Sequence, residues 1–360
     1  MDDRRRPEGH DGPELLGADP DRPARARATF ALSPDAVRAM LTAPSLPATL
    51  DALGIAGADA DELRALIPVA VDDSQVLTAV TARANALRAE AGLDAPLAHS
   101  PEADAADDAA QRAIAPGEGL VTILAHLVST DTVRAWHAAR GIPAGISWAS
   151  LADLGQQIAV HRVVHGRLGL GTRQWTSLVW TGQVVRLGRL QHQLRIAHGD
   201  GADAHWDLSV HIPATGPLAP EDVDASLTMA RDVLGERFAD LGAGRPAELP
   251  AFGTEFHCRS WLLSPALAEI LGPEANLARF AAHWRLEETY DASDDVVFFV
   301  FARPRGTAPT DLDTDTRLRR AIRERLLAGG GWTGGSGHLV LGAVPGEASR
   351  AQTATAPESM

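Results

Sequence analysis

From Phe30 onward, apolar residues recur every three or four positions, the spacing of one helix face. SPDAVRAMLTA offers Ser33 as an N-cap and Pro34 at the first helical position. DADELRALI and SQVLTAVTARANALRAEAGL continue in that style. The second sets Val76, Leu77, Val80, Ala84 and Leu87 near one face, with Gly92 as a stop. The acidic HSPEADAADDAAQRAIAPGEG reads as a surface loop with at most one turn of helix. GLVTILAHLVSTDTVRAWHAARGIP then resumes the helical spacing. Ser147 caps SWASLADLGQQIAVHRVVHGRLG, expected as one long amphipathic helix ending near Gly166 or Gly169.

The rhythm then changes to alternation. GQVVRLGRLQHQLRIAHGD reads as one long strand followed by a turn at Gly199–Gly201, and WDLSVHIP as a second strand antiparallel to it. EDVDASLTMARDVLGERFADL is a helix and TEFHCRSWLL a third strand. SPALAEILG and ANLARFAAHWRL are helices. VVFFVFARP is expected as a fourth, central strand, DTDTRLRRAIRERLLAGG as a helix and SGHLVLGA as the last strand. The order β-β-α-β-α-β-α-β predicts a mixed-sheet α/β (α+β) domain behind an α-helical one. Before Trp136 the only aromatic residue is Phe30, which supports two differently built regions. The expected division is a charged disordered arm over 1–28, a helical domain over 29–150, a mixed-sheet domain over 151–344 and a tail over 345–360.

Composition narrows the function classes. The 360 residues carry a net charge of −14, which repels polyanions and argues against nucleic acid as the main partner. The single cysteine, Cys258, builds no internal disulfide and no cysteine-cluster metal site. The start, MDDRRRPEGHDGPELLG, lacks the apolar centre of a signal peptide, and no apolar run approaches about 18 residues. A cytoplasmic protein with no membrane partner is expected; the oligomeric state stays open.

Several stretches in one order carry a family resemblance: HAARGIP with SLADLGQQI, HGRLGLGTRQW, VVRLGRLQHQL, HIPATGPL, FHCRSWLLSPAL, EANLARF, and TRLRRAIRERLLAGGGW ahead of SGHLVL. Together they span roughly residues 130–341. This part resembles the GNAT-like acyltransferase proteins of actinobacteria and other Gram-positive bacteria, in which a helical acyltransferase-associated domain precedes a GNAT-like domain. The resemblance implies a GNAT fold that binds acyl-CoA as cosubstrate where two central strands splay, with transfer to an amine of a small molecule or a protein.

Such a transfer needs a grip on pantetheine and pyrophosphate, an oxyanion stabiliser and a route for one or two protons. HIPATGPLAPEDVDASL is the candidate grip, because a strand–loop–helix junction aims backbone N–H groups and the helix dipole at one spot. The cofactor-binding candidates are Pro213, Thr215, Gly216, Leu218 and Arg189, with Ser260 and Trp261 shaping the cleft. The usual GNAT phosphate signature, Gln/Arg-x-x-Gly-x-Gly/Ala, is met here only at Gly216. Pro217 removes a donor, and Glu221, Asp222 and Asp224 put negative charge at the helix start. The stretch is therefore a phosphate cradle or a plain turn before a self-capped helix. Arg186, Arg189 and Arg195 could offset the acidic charge.

His211 and Glu255 are the candidate bases; the alternatives are a structural histidine and a solvated carboxylate. Cys258 is expected as a buried small hydrophobe, and Tyr290, the only tyrosine, has no assigned place. HGRLGLG is a second glycine-rich candidate or simply a helix-ending turn. His161 and His165 share a helix face and could hold a metal, but no third ligand is suggested and no metal is expected. Arg317, Arg319, Arg320, Arg323 and Arg325 form a solvated face or meet the 3′-phosphate of CoA. Gly329, Gly330, Gly331, Gly334, Gly335 and Gly337 mark a flexible turn before the last strand. Two readings result: an acyl-CoA-dependent N-acyltransferase, or a non-catalytic GNAT-shaped sensor or scaffold that binds CoA.

Overall fold

The computed structural model describes residues 31–93, 100–197, 205–243, 245 and 247–342. The expected arm, the tail and the turn at Gly199–Gly201 lie outside the described residues. The chain divides into two compact units after Arg186.

The first unit is helical. Val37, Leu63, Val80, Ile123, Leu124, Leu154 and Trp180 come from successive helices and share one buried core. The expected boundary at residue 150 falls too early, because Leu151, Leu154, Ile158, Val179 and Trp180 all belong to that core. The long helix expected after Ser147 is two helices, Ala144–Leu151 and Asp153–His165. Gly155 explains the break: a Cβ there would lie 2.1 Å from the Gly54 carbonyl oxygen, so two backbones touch at this point. The acidic segment expected as a loop contains the helix Pro101–Gln111, capped by Ser100. Three of its four carboxylates are structural, with Asp107 and Asp104 paired to buried Arg83 and Asp108 paired to buried Arg173.

A mixed six-stranded sheet, ordered β1-β2-β3-β4-β6-β5, follows, with strands β2 to β6 in the second unit. Its strands are β1 (Val184–Leu187), β2 (Leu190–Ala197), β3 (His205–His211), β4 (Glu255–Ser260), β5 (Arg285–Asp291) and β6 (Thr333–Val340). The long strand expected over 182–200 is divided, because Gly188 takes φ +68° and turns β1 back into β2. β2 and β3 are antiparallel, and β4 and β5 each run antiparallel to β6.

VVFFVF is not a central strand but part of the helix Ser293–Phe301. A short apolar run fits a buried strand and a buried helix equally well. The residues before it decide: Ser293 donates its N–H to Asp291 Oδ1 at 2.9 Å, and Asp294 and Asp295 sit in the first turn, where the helix dipole favours them. The strand in this region is the polar RLEETYD of β5, at the sheet edge.

The glycines expected in a flexible turn sit partly inside β6. A Cβ on Gly334 would lie 2.7 Å from Tyr290 Cζ, and one on Gly335 would lie 2.7 Å from a Leu286 methyl. These positions lack side chains because neighbouring ones lie across them.

Candidate active site

The two central strands set the geometry. β3 and β4 are parallel and paired at only two positions, Leu208 with Phe256 and Ser209 with His257. Beyond them, Val210 and His211 stay paired to β2, while Cys258, Arg259 and Ser260 stay paired to β6. Each strand keeps its outer neighbour and loses its inner one, so the sheet opens between their C-terminal ends. The loop after β3 and the start of the helix Pro220–Arg237 follow directly from this opening. Buried Ser226 fixes that helix to the hairpin: its hydroxyl donates to the Leu187 carbonyl and accepts the Leu190 N–H at 3.1 Å.

Arg189 organises the loop. Its guanidinium donates to the carbonyls of Pro213, Gly216 and Pro217 at 2.9, 3.0 and 2.8 Å. Three carbonyls are thereby drawn to one cation. Gly216 adopts φ +69°, a left-handed conformation that a Cβ would strain, although nothing lies within 4 Å of where that Cβ would be. Thr215 donates its N–H to the Pro213 carbonyl at 2.8 Å, and Leu218 is buried beneath the loop. The expected phosphate-binding arginine is thus the residue that shapes the loop. Arg195 is committed elsewhere, in a bidentate pair with Asp207 at 2.9 and 2.5 Å.

His211 ends β3 at the mouth of the opening. The Gln193 side-chain oxygen accepts from its Nε2–H at 2.9 Å. Burial, reinforced by His257 and Arg195, pushes its pKa down to about 4, so the ring is neutral near pH 7. His257 stands beside it, also lowered to about 4, chiefly by burial, with Nε2 2.8 Å from Ser336 Oγ. Asp207, Ser209 and His211 share a sheet face with Glu255, His257 and Arg259.

Glu255 starts β4, at the far end from the opening, and is ion-paired with buried Arg245. The structure does not bring the two candidate bases together. Ser260 lies at the open end, where its Oγ accepts the Leu262 N–H at 3.1 Å and begins a short turn. The Trp261 carbonyl accepts from Trp332 Nε1–H at 3.1 Å. Both support the wall of the opening. Cys258 is fully buried, and burial pushes its thiol far above the ordinary range, which removes it as a nucleophile.

Tyr290 is the residue that sequence reasoning left out. It pairs with Gly334 on β6, on the same sheet face as His257 and Arg259. Its ring leans over Gly334 toward β4, where Arg259 stacks on it. Burial, with Asp295 nearby, pushes its pKa up to about 12, so it keeps its proton. The signal was the run Thr333–Gly337, whose glycines make room for a large neighbour. The arginines of the helix Arg317–Leu327 are mostly structural: Arg319 donates to the Val300 carbonyl, Arg320 to Thr314, Arg323 to Pro309 and Thr310, and Arg325 pairs with Glu269.

Family models match both parts of the chain: an N-acyltransferase N-terminal domain over residues 44–182 and a GNAT-like C-terminal domain over 184–339. The chain is a GNAT-like acyltransferase. Solved structures agree. A crystal structure of an acyltransferase in complex with decanoyl-CoA superposes with a TM-score of 0.66 at 26% identity, covering 86% of this chain and 99% of that one. A second, in complex with decanoyl-CoA and teicoplanin, gives 0.64 at 26% identity, covering 86% and 100%. A third, in complex with CoA and 10C-teicoplanin, gives 0.58 at the same identity and coverage. No curated protein sequence matches the acyltransferase. Its GNAT-like domain match begins in β1 and ends in β6, so the opening between β3 and β4 lies wholly within it.

Proposed function

We propose that this acyltransferase moves the acyl group of an acyl-CoA directly onto an amine of a small molecule. The parting of β3 and β4 after Ser209 and His257 carries the reading, since it exposes backbone donors and acceptors to a pantetheine arm. The loop around Gly216 and the start of the helix Pro220–Arg237 would meet the pyrophosphate. The amine nitrogen attacks the thioester carbonyl carbon, the C–N bond forms and the C–S bond breaks. The His211 imidazole takes the proton lost by the attacking nitrogen, and the Tyr290 hydroxyl supplies one to the departing thiolate. No covalent enzyme intermediate is needed, in keeping with the inert Cys258.

The structural neighbours support the donor and acceptor classes. One is bound to decanoyl-CoA with teicoplanin and another to CoA with 10C-teicoplanin. Medium-chain acyl-CoA is accordingly the first donor to test. Calorimetry with acetyl-, octanoyl- and decanoyl-CoA measures binding, and thiol release with a panel of small-molecule amines measures transfer. Amine-dependent release of CoA is expected. Tight CoA binding with no amine able to accelerate release would sink the reading.

A further inference from the structure

The helical unit holds a side-chain cluster that the acyl-transfer chemistry does not use. His161 and His165 lie one turn apart on the helix Asp153–His165, with ring centres 4.5 Å apart. Glu118, far away in sequence, joins them. One candidate ligand atom from each residue lies within 4.8 Å of the other two, and His161 Nε2 is 3.3 Å from Glu118 Oε1.

The hydrogen bonds around the cluster orient it. His161 is 4% exposed, and its Nδ1–H donates to the Arg167 carbonyl at 3.2 Å. That tautomer turns the Nε2 lone pair toward the carboxylate. Two acceptors facing each other at 3.3 Å repel unless a cation lies between them. Arg173 holds the other carboxylate oxygen, Oε2, at 3.3 Å and leaves Oε1 aimed at the imidazole. A backbone carbonyl behind a histidine and a cation behind a carboxylate are the supports that metal ligands use. Gly169 completes the fit: a Cβ there would lie 2.3 Å from His161 Cε1, so the HGRLGLG turn is shaped around this ring. A cleft lined by Glu62, Gln111, Gly117, Glu118 and Gly169 opens beside the carboxylate.

The cation could be a proton on His161 or a metal ion. His165 decides between them. A proton shared by His161 and Glu118 gives the second imidazole no part in the cluster, whereas a metal ion recruits it as a third ligand. We propose that Glu118, His161 and His165 form a binding site for a divalent transition-metal ion of the zinc type in the helical unit. Two imidazoles and a carboxylate suit zinc with a fourth position open to water. The bound ion would tie the segment before the helix Leu120–Ala139 to the helix Asp153–His165.

The test uses the full-length, tag-free chain, stripped with a chelator and titrated with zinc chloride in excess magnesium. Calorimetry and metal analysis after desalting are expected to give one zinc per chain. Zinc is expected to raise the unfolding temperature. Replacing buried His161 risks the fold, so the variants are H165A, at an exposed position, and E118Q. Each is expected to bind zinc at least ten-fold more weakly and to lose the zinc-dependent rise, while the metal-free melt of H165A stays unchanged. Failure of the native chain to retain zinc, or equal retention by H165A, would overturn the proposal.

Discussion

The Arg259 guanidinium lies 3.5 Å from the centre of the Tyr290 ring, across the glycine backbone of β6. This contact holds the only tyrosine of the chain over the sheet face that carries His211 and His257. A cation on the ring face would favour phenolate, but burial and Asp295 outweigh it and keep the pKa at about 12. The hydroxyl is therefore a proton donor throughout the neutral range. Tyr290→Phe is expected to lower kcat on the order of 100-fold and leave the KM for acyl-CoA nearly unchanged. Steady-state kinetics with a fixed amine checks this; an equal loss in both parameters would point to binding instead.

Gly334→Ala tests the same ring from below. The added methyl would stand 2.7 Å from Tyr290 Cζ and 2.9 Å from the Ala292 methyl, so the ring must move. A stability loss of about 1–3 kcal/mol is expected, as for overpacking elsewhere. The kinetic defect should follow that of Tyr290→Phe. Denaturant unfolding and kinetics on one preparation separate the two effects.

Arg189→Ala releases three carbonyls at once. Hydrogen bonds to a charged donor contribute about 1.5–3 kcal/mol each, so the loop should lose its shape while the sheet remains. Acyl-CoA binding is expected to weaken at least ten-fold, with a smaller effect on kcat. Arg189→Lys should not restore it, because an ammonium cannot span three acceptors as a planar fork does. Calorimetry with CoA gives the answer for both variants.

His211→Ala is expected to cost about 10²–10⁴ in kcat/KM. The pH profile of the native enzyme is equally diagnostic. With the pKa lowered to about 4, the ring stays unprotonated well below its ordinary range. On the acidic side, kcat/KM corrected for ionisation of the amine should stay level to about pH 5 and fall only toward pH 4. An acidic limb centred near 6.5 would exclude His211 as the base.

His126 and His192 make the fold sensitive to acid. Both are fully buried, and burial lowers their pKa values to about 4 and about 3. Between the ordinary histidine pKa of about 6.5 and these values, the unfolded chain binds protons that the folded chain does not. Stability is thus complete above about pH 6.5 and declines as the pH falls through that window. At pH 5 each histidine is expected to have withdrawn on the order of 2 kcal/mol. Urea unfolding at pH 7.5 and 5.0 measures the loss, and His192→Gln should reduce the difference.

Most helices of the first unit were legible because their apolar spacing and the cap at Ser33 are local, whereas the helix Pro101–Gln111 reads as a loop because its acidic sequence shows no apolar stripe. The strands around His211 and Cys258 were legible for the same reason. The end of the helical unit was not, because Gly155 against Gly54 and Trp180 in the core are contacts between residues far apart in sequence. VVFFVF misled because a short apolar run has no readable period, and β5 was missed because its side chains are polar. In the candidate site, His211 and the Gly216 loop were the sequence-based candidates, and the structure sets both beside the parted strands. The roles of Arg189, Glu255 and Tyr290 could not, since each depends on what lies across the sheet or the turn.

The glycines of β6 carry a practical lesson for stabilising this enzyme. Valine, isoleucine or threonine at Gly334, Gly335 or Gly337 would raise the intrinsic strand preference of the segment and would look like an improvement in any design that scores positions singly. Here each would strike the Tyr290 ring, the Leu286 side chain or the Arg285 backbone. Thermostabilised libraries should leave this strand unaltered and seek their gains on the outer faces of the helices.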